Sequence, residues 1–186
     1  MSDKRGVFRV NVCVFCASSN TVDKSFLDLA SEFGSALARR GHGLLYGGYT
    51  NGMMGRLAEA AHGSGAVITA VVPAIFDCDG FTYRFCDEVI KTADMHERKA
   101  EMQRLADAFV VLPGGLGTLD ELFDTLDLVM LGELAKPFFV LNAFGFYDWL
   151  ETLLPRLEET GFLRKGARLA EFCPCVEDVM EGLGKL

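Results

Sequence analysis

Long apolar runs are missing from this chain of 186 residues. No stretch reaches the roughly 20 apolar residues that a membrane-spanning helix needs. The opening segment, MSDKRGVFRVNV, carries charge but lacks the apolar core of a secretory signal. Half of the residues are nevertheless hydrophobic, which is enough to bury the core of one ordinary domain. We therefore expect a single cytoplasmic domain over residues 1–186.

An excess of positive charge is also missing. Lysine and arginine number 18 against 26 aspartates and glutamates, which gives a formal net charge of −8. A nucleic-acid binder needs a basic face to displace counterions from phosphates, so this balance counts against DNA or RNA as a partner. It leaves room for a small anionic ligand, because a helix dipole and one or two arginines suffice to bind one.

The cysteines do not form a recognisable zinc set. They are Cys13, Cys16, Cys78, Cys86, Cys173 and Cys175. The first two make a lone C-x-x-C, which allows a redox or metal reading, but no second pair or paired histidine completes a zinc site. Cys13 also lies in an apolar run, where a thiol packs as a small hydrophobic group. We expect reduced thiols and no bound metal, as in a cytosolic protein.

Short apolar runs alternate with segments of helical periodicity. The pattern predicts strands at residues 7–16, 43–46, 66–72, 88–91, 108–112 and 137–142. It predicts helices at residues 23–40, 52–62, 94–107, 118–131 and 147–160, with a last helix after Cys175. This alternation favours an α/β fold: a Rossmann-like, doubly wound parallel sheet with helices on both faces. Ligands bind at the carboxyl ends of such strands.

Two familiar nucleotide fingerprints are absent. The first predicted strand is not followed by G-x-G-x-x-G, and no Walker A sequence is present, so a mononucleotide fits better than NAD or ATP. Gly114, Gly115 and Gly117 follow a strand and open a helix, where exposed N–H groups favour a phosphate, and Thr118 adds a hydroxyl. A tight turn without a ligand is the alternative, although a second glycine cluster at residues 47–55 favours a binding crevice.

Glu121 has two readings. Thr118 and Glu121 have the spacing of a capping box, with Thr118 as the N-cap and Glu121 reaching back from the third helical position. Alternatively, the carboxylate faces a sugar and stabilises positive charge that develops there. The spacing alone leaves both open.

Arg98 falls on the apolar stripe of its predicted helix, which contains Met95, Met102, Leu105 and Ala106. A guanidinium directed toward the protein interior needs an anionic partner, either a carboxylate or a ligand phosphate. The alternatives are an arginine that snorkels from the edge of the stripe and a purely structural ion pair. His96 and Lys99 project elsewhere on the helix.

Several segments resemble one family. Residues 113–121, PGGLGTLDE, resemble the PGGxGTxxE signature of the LONELY GUY (LOG) family of cytokinin riboside 5′-monophosphate phosphoribohydrolases. Residues 95–99, MHERK, with Met102, resemble its arginine motif, and residues 46–55, YGGYTNGMMG, resemble its second glycine loop. Segments 131–137 and 145–148 also match, so the resemblance covers nearly the whole chain in order. Ala17 and Tyr49 depart from the family pattern, which commonly has small residues at both positions, with glycine at the first.

The resemblance implies hydrolysis of the N-glycosidic bond of (N6-prenylated) adenosine 5′-monophosphate by a homodimer without a cofactor. It implies Arg98 and Glu121 as the catalytic pair. It implies substrate binding by Ser19, Gly48, Met95, Arg98, Lys99, Pro113, Gly114, Gly115, Gly117, Thr118 and Glu121. A general nucleoside 5′-monophosphate nucleosidase, a non-catalytic nucleotide-binding module and a DNA-binding relative are the alternatives.

Overall fold

The computed structural model describes residues 10–76, 80–166 and 169–186. Over these residues the strands are β1 (Asn11–Phe15), β2 (Gly43–Tyr46), β3 (Ile68–Pro73), β4 (Glu88–Thr92), β5 (Ala108–Val111), β6 (Phe138–Leu141) and β7 (Glu171–Cys173). The α-helices are α1 (Lys24–Arg39), α2 (Gly52–Gly63), α3 (Met95–Leu105), α4 (Leu116–Leu131), α5 (Asp148–Glu159) and α6 (Val176–Leu183). None of the described helices is long and apolar enough to cross a membrane.

All seven strands form one sheet in the order β4-β3-β2-β1-β5-β6-β7. Every neighbouring pair is parallel. The chain winds outward from β1 in one direction and then returns to continue from β5 in the other. The predicted doubly wound sheet is confirmed, and its topological switch point lies between β1 and β5, where such folds place their ligands.

The central strands are buried on both faces. In β1, Val12 and Val14 belong to the core beneath α1, α2 and α6, whereas Cys13 and Phe15 belong to the core beneath α3, α4 and α5. Side chains of a strand alternate between faces, so a strand covered on both sides must be apolar throughout. This explains why β1 appears in the sequence as an unbroken apolar run.

Two elements differ from the sequence expectation. The edge strand β7 was not predicted, because its three residues, Glu-Phe-Cys, are too few to show a period. Helix α4 begins at Leu116, two residues before the predicted start. Residues 7–9 of the predicted first strand lie outside the described residues, and so does Cys78.

The amino terminus of α3 is fixed by a side-chain cap. The Asp94 carboxylate accepts hydrogen bonds from the backbone N–H groups of His96 at 2.8 Å and Glu97 at 2.9 Å, as is usual for an aspartate N-cap. Because the cap sets where the helix begins, it sets the face on which Arg98 emerges one turn later.

Candidate active site

A cleft of about 520 Å³ opens at the switch point. Its floor and rim come from the carboxyl ends of three strands: residues 16–19 after β1, Gly47 after β2, and residues 115–118 at the start of α4 after β5. Arg98 and Glu121 also line it. The segments that the sequence placed after separate strands therefore meet in one site.

Arg98 and Glu121 form a buried ion pair. Arg98 Nη1 donates to Glu121 Oε1 at 2.8 Å, and Arg98 Nε donates to the Val71 carbonyl oxygen at 3.2 Å. The two side chains of the pair are 7% and 4% exposed. The snorkelling interpretation of Arg98 is therefore wrong, because the guanidinium is held inside the protein by a carboxylate and a backbone oxygen.

The ionisation of Glu121 is a balance of opposing effects. Burial raises the pKa of its carboxyl group, because removal from water disfavours the charged form. The Arg98 guanidinium opposes this shift, and Lys99 adds a smaller effect in the same direction, whereas Asp120 raises the pKa. The negative charge of Glu121 in the cleft thus depends mainly on Arg98.

The first turn of α4 supplies backbone donors. Gly115 is the N-cap, and the N–H groups of Leu116, Gly117 and Thr118 have no acceptor within the helix, because the first helical bond runs from Leu119 N to Gly115 O. Gly115 and Gly117 are exposed and line the cleft. Such a turn, with the positive end of the helix dipole, binds anions readily.

The capping-box prediction is wrong. With Gly115 as the N-cap, Thr118 lies inside the first helical turn and Glu121 lies almost a full turn beyond it. The Glu121 carboxylate binds Arg98 instead of a backbone N–H at the start of the helix. The carboxylate that local spacing assigned to the helix end thus belongs to the cleft.

Seven of the predicted substrate-binding residues line this cleft: Ser19, Met95, Arg98, Gly115, Gly117, Thr118 and Glu121. The other four lie behind or beside it. Pro113 is buried, and its carbonyl oxygen accepts a hydrogen bond from Ala17 N at 3.4 Å. Gly114 packs against the Thr118 side chain. Both support the walls of the cleft from outside.

Lys99 is turned away from the cleft that Arg98 enters. Its ammonium group lies 3.1 Å from an Asp120 oxygen and 2.9 Å from an Asp124 oxygen. These contacts join α3 to α4 on the outer side of the buried ion pair. This geometry gives Lys99 the role of holding the two helices together. Its contact with substrate, which the resemblance implies, stays a prediction.

The structure places Gly47 in the wall of the cleft and Gly48, which the resemblance implied for substrate binding, in the turn beside it. Gly48 has a left-handed φ of +84°, and a Cβ there would lie 2.7 Å from Val72 Cγ2; it makes the turn. Gly47 is the glycine that lines the cleft, and the sequence analysis did not single it out. In the sequence, nothing distinguishes the glycine that makes the turn from the adjacent glycine that lines the cleft.

An aromatic wall was also missed. Tyr49, Phe76 and Phe81 line the cleft, with ring centroids of Tyr49 and Phe81 4.5 Å apart and those of Phe76 and Phe81 5.1 Å apart and nearly parallel. Met54 and Met95 extend this apolar side. The departure from the family pattern at Tyr49 was the one available signal, because Phe76 ends a three-residue 3-10 helix and Phe81 lies in a turn, and neither segment is long enough to show a period.

The C-x-x-C is divided by the sheet. Cys13 belongs to one core and Cys16 to the other, and burial raises the pKa of both thiols far above the ordinary range. Within residues 10–76, 80–166 and 169–186, no three His, Cys, Asp or Glu side chains come together as a metal site.

Comparison with known proteins places these features in a family. Residues 54–183 match the family described as "Possible lysine decarboxylase". The chain is 38% identical over 183 residues to the cytokinin riboside 5′-monophosphate phosphoribohydrolase LOG4 of Arabidopsis thaliana, an alignment that covers 90% of this chain and 85% of the relative. It is 36% identical over 193 residues to LOG3 of the same plant, covering 96% and 89% of the two chains.

Solved structures agree on the fold. The molybdenum cofactor binding protein of Rippkaea orientalis superimposes with a TM-score of 0.73 at 18% identity, covering 96% of this chain and 98% of that one. The carrier protein for the same cofactor from Chlamydomonas reinhardtii gives 0.72 at 20% identity, covering 95% and 97%. At this identity the likeness describes the architecture alone. The family follows from the sequence relatives. Because their alignments cover 90% and 96% of this chain at 38% and 36% identity, the chain belongs to the LONELY GUY (LOG) family.

Proposed function

We propose that this chain hydrolyses the N-glycosidic bond of N6-prenylated adenosine 5′-monophosphate and releases the free base and ribose 5-phosphate. The relatives in its family are named for the phosphoribohydrolase activity on cytokinin riboside 5′-monophosphate. One structural observation carries the assignment to this cleft. A buried carboxylate, Glu121 paired with Arg98, lines the same cleft as a helix start whose first N–H groups have no acceptor within the helix.

The 5′-phosphate would bind at the first turn of α4. Gly115 and Gly117 have no side chain to hold the phosphate away, and the N–H groups there lack helical acceptors. The Thr118 hydroxyl, at the cleft wall, adds a donor. Binding energy from this remote group holds the scissile bond in place, so that hydrolysis becomes a reaction between positioned groups.

Glu121 would act at the anomeric carbon. Cleavage of an N-glycosidic bond passes through a sugar with oxocarbenium character, as in glycoside hydrolysis. The carboxylate stabilises this cation and orients or deprotonates the water that attacks C1′ while the bond to the base breaks. Arg98 keeps Glu121 ionised and directed, because its guanidinium is itself fixed by Val71.

The aromatic wall would receive the base. Tyr49, Phe76 and Phe81 offer flat apolar surfaces, and Met54 and Met95 flank them. A prenyl group that leaves water here gains about 0.8 kcal/mol per buried methylene equivalent. This side of the cleft therefore favours prenylated adenine over adenine itself.

The homodimer and the cytoplasmic location belong to the same proposal. Apolar side chains are exposed along α4 and beside it: Leu116 is 88% exposed, Leu131 58%, and Phe123 and Trp149 pack together while each stays more than 40% exposed. A second copy of the chain would cover such residues. Sedimentation velocity of the purified protein measures the assembly.

The decisive experiment is a product analysis. The protein is incubated with prenyl-AMP, AMP, GMP and CMP, and free bases are separated by chromatography, with the Glu121→Gln variant as the blank. We expect base release from prenyl-AMP, slower release from AMP, and little from the others. Equal rates on all four would identify a general nucleosidase. Binding without any release would identify a non-catalytic module and refute the proposal.

A further inference from the structure

Gly47 borders the Arg98 guanidinium at a distance that excludes any side chain. A Cβ on Gly47 would lie 2.2 Å from Arg98 Nη2 and 3.3 Å from Arg98 Cζ. The next atom, Met54 Cε, is 3.5 Å away, which is an ordinary contact. The space that a side chain would occupy is therefore taken by Arg98 alone.

The guanidinium cannot step aside without losing a partner. Its Nε donates to Val71 O and its Nη1 donates to Glu121 Oε1. Because the group is planar and rigid, these two bonds also fix the position of Nη2. A side chain at position 47 would have to break the contact with the β3 carbonyl, the contact with Glu121, or both.

Backbone conformation is not what requires glycine here. The φ of Gly47 lies outside the left-handed range, in contrast to Gly48 at +84°. An alanine could adopt the backbone geometry of position 47 and would fail only on space. The requirement for glycine thus points to the neighbouring side chain instead of the turn.

We propose that Gly47 is a positioning residue of the active site. Because glycine has no side chain, it leaves a slot through which the Arg98 guanidinium reaches Glu121. The proposal rests on the proposed function for its catalytic meaning. It assigns the first glycine of the loop after β2 to the ion pair, in addition to any contact with substrate.

The effect on Glu121 follows from its surroundings. The charged groups that act on its carboxyl are Arg98 and Lys99 of α3 and Asp120 of α4. The thiols of Cys13 in β1 and of Cys16 directly after β1 lie close enough to be affected by its charge. Arg98 makes the largest opposing contribution to the effect of burial. Displacement of Arg98 raises the pKa of Glu121 further, so the acidic side of the pH–rate profile moves to higher pH.

A stability cycle tests the slot without reference to activity. Thermal melting is measured for the wild type, Gly47→Ala, Arg98→Ala and the double variant. We expect Gly47→Ala to lower the melting temperature in the presence of Arg98 and to have little further effect once Arg98 is removed. If Gly47→Ala alone does not fold, the added substitutions Arg98→Ala and Glu121→Gln, which together remove the clash and the unpaired charge, should restore folding. An equal loss in both backgrounds would overturn the proposal.

Kinetics test the consequence for catalysis. Gly47→Ala should reduce kcat for prenyl-AMP at least tenfold, with a smaller change in KM, and should shift the acidic limb upward. The matched control is Gly63→Ala at the end of α2, where nothing lies within 4 Å of an added Cβ; we expect wild-type kinetics. A Gly47→Ala enzyme with full kcat and an unshifted profile would refute the positioning role. If the wild type releases no base, the proposed function is refuted. The melting experiments still test the slot in that case, because they do not depend on activity.

Discussion

The Thr118 side chain packs so closely against Gly114 that only glycine fits at position 114. A Cβ on Gly114 would lie 2.1 Å from Thr118 Oγ1 and 2.4 Å from Thr118 Cβ. Thr118 is only 4% exposed because its side chain packs over Gly114, and it also lines the cleft. The second residue of the PGG segment thus provides the space that the Thr118 side chain occupies.

Replacement of Gly114 by alanine should weaken phosphate binding. The added methyl group displaces the Thr118 side chain and removes one hydrogen bond to a charged group, which contributes about 1.5–3 kcal/mol. We expect KM for prenyl-AMP to rise roughly tenfold to a hundredfold with a smaller change in kcat. Steady-state rates measure this, with Gly63→Ala as the control. An unchanged KM would place the phosphate elsewhere.

Glu121→Gln should remove turnover and preserve the fold. The amide keeps the shape and can still accept a hydrogen bond from Arg98, but it carries no charge to oppose the developing cation. Loss of such electrostatic stabilisation lowers kcat by roughly a hundredfold to a thousandfold. Single-turnover base release and calorimetric binding of prenyl-AMP separate chemistry from affinity. Glu32→Gln, on the exposed side of α1, is the control; wild-type turnover in Glu121→Gln would exclude the carboxylate.

Arg98→Ala should destabilise the protein strongly. It leaves the Glu121 carboxylate buried with its main cationic partner removed, which costs about 3–5 kcal/mol in comparable buried pairs. Urea unfolding at neutral pH measures the loss. At acidic pH the loss should shrink, because a protonated Glu121 no longer carries an unpaired charge. A loss independent of pH would argue that Arg98 contributes by packing alone.

Lys99→Met should affect stability more than binding. Its ion pairs with Asp120 and Asp124 are partly exposed, and such pairs contribute about 0.2–1 kcal/mol. We expect a small fall in unfolding free energy and a rise in KM below about threefold. A tenfold rise in KM, with unchanged stability, would instead return Lys99 to the substrate.

Ionisation of Glu121 should affect rate and stability in opposite directions: as the pH rises, the rate increases and the free energy of unfolding decreases. Burial raises the pKa of Glu121 above the ordinary glutamate value, about 4.3, and the ionised form is the working one. The rate kcat/KM should therefore fall as the pH drops through this raised pKa. The stability contribution of the group is full below the unfolded-state pKa and is lost as pH rises through the folded-state pKa.

Glu121→Gln should flatten that stability change. Unfolding curves of wild type and variant, taken at matched pH values across this window, test the linkage. Wild-type activity that persists down to the pKa of an exposed glutamate would contradict the assignment of Glu121.

Helical arithmetic predicted the burial of Arg98, because four residues at 100° spacing define a face without knowledge of the rest of the fold. It could not predict Glu121 as the partner, since the two lie 23 positions apart on different helices. The alternation of strands and helices predicted the doubly wound parallel sheet. It did not predict strand β7, because three residues are too few to show a period.

Sequence patterns gave the wrong role or no role where contacts between distant residues decide what a residue does. Thr118 and Glu121 have the spacing of a capping box, but the helix starts earlier because Leu116 and Gly117 adopt helical geometry. Gly47 and Gly48 are the same residue type in sequence, and the left-handed φ of Gly48 and the position of the Arg98 side chain beside Gly47 distinguish their roles. Lys99 follows Arg98 directly, yet one step along the helix turns it toward two aspartates.

Cys16 gives the cleft a sulfur that stays protonated. It lines the cavity but is 1% exposed, and burial raises the pKa of its thiol. Alkylating and oxidising reagents attack the thiolate, so they should spare this residue and, among the five cysteines that the structure describes, modify the exposed Cys175 first. A maleimide dye attached to Cys175, the N-cap residue of α6, should therefore report on assembly and leave nucleotide turnover unchanged.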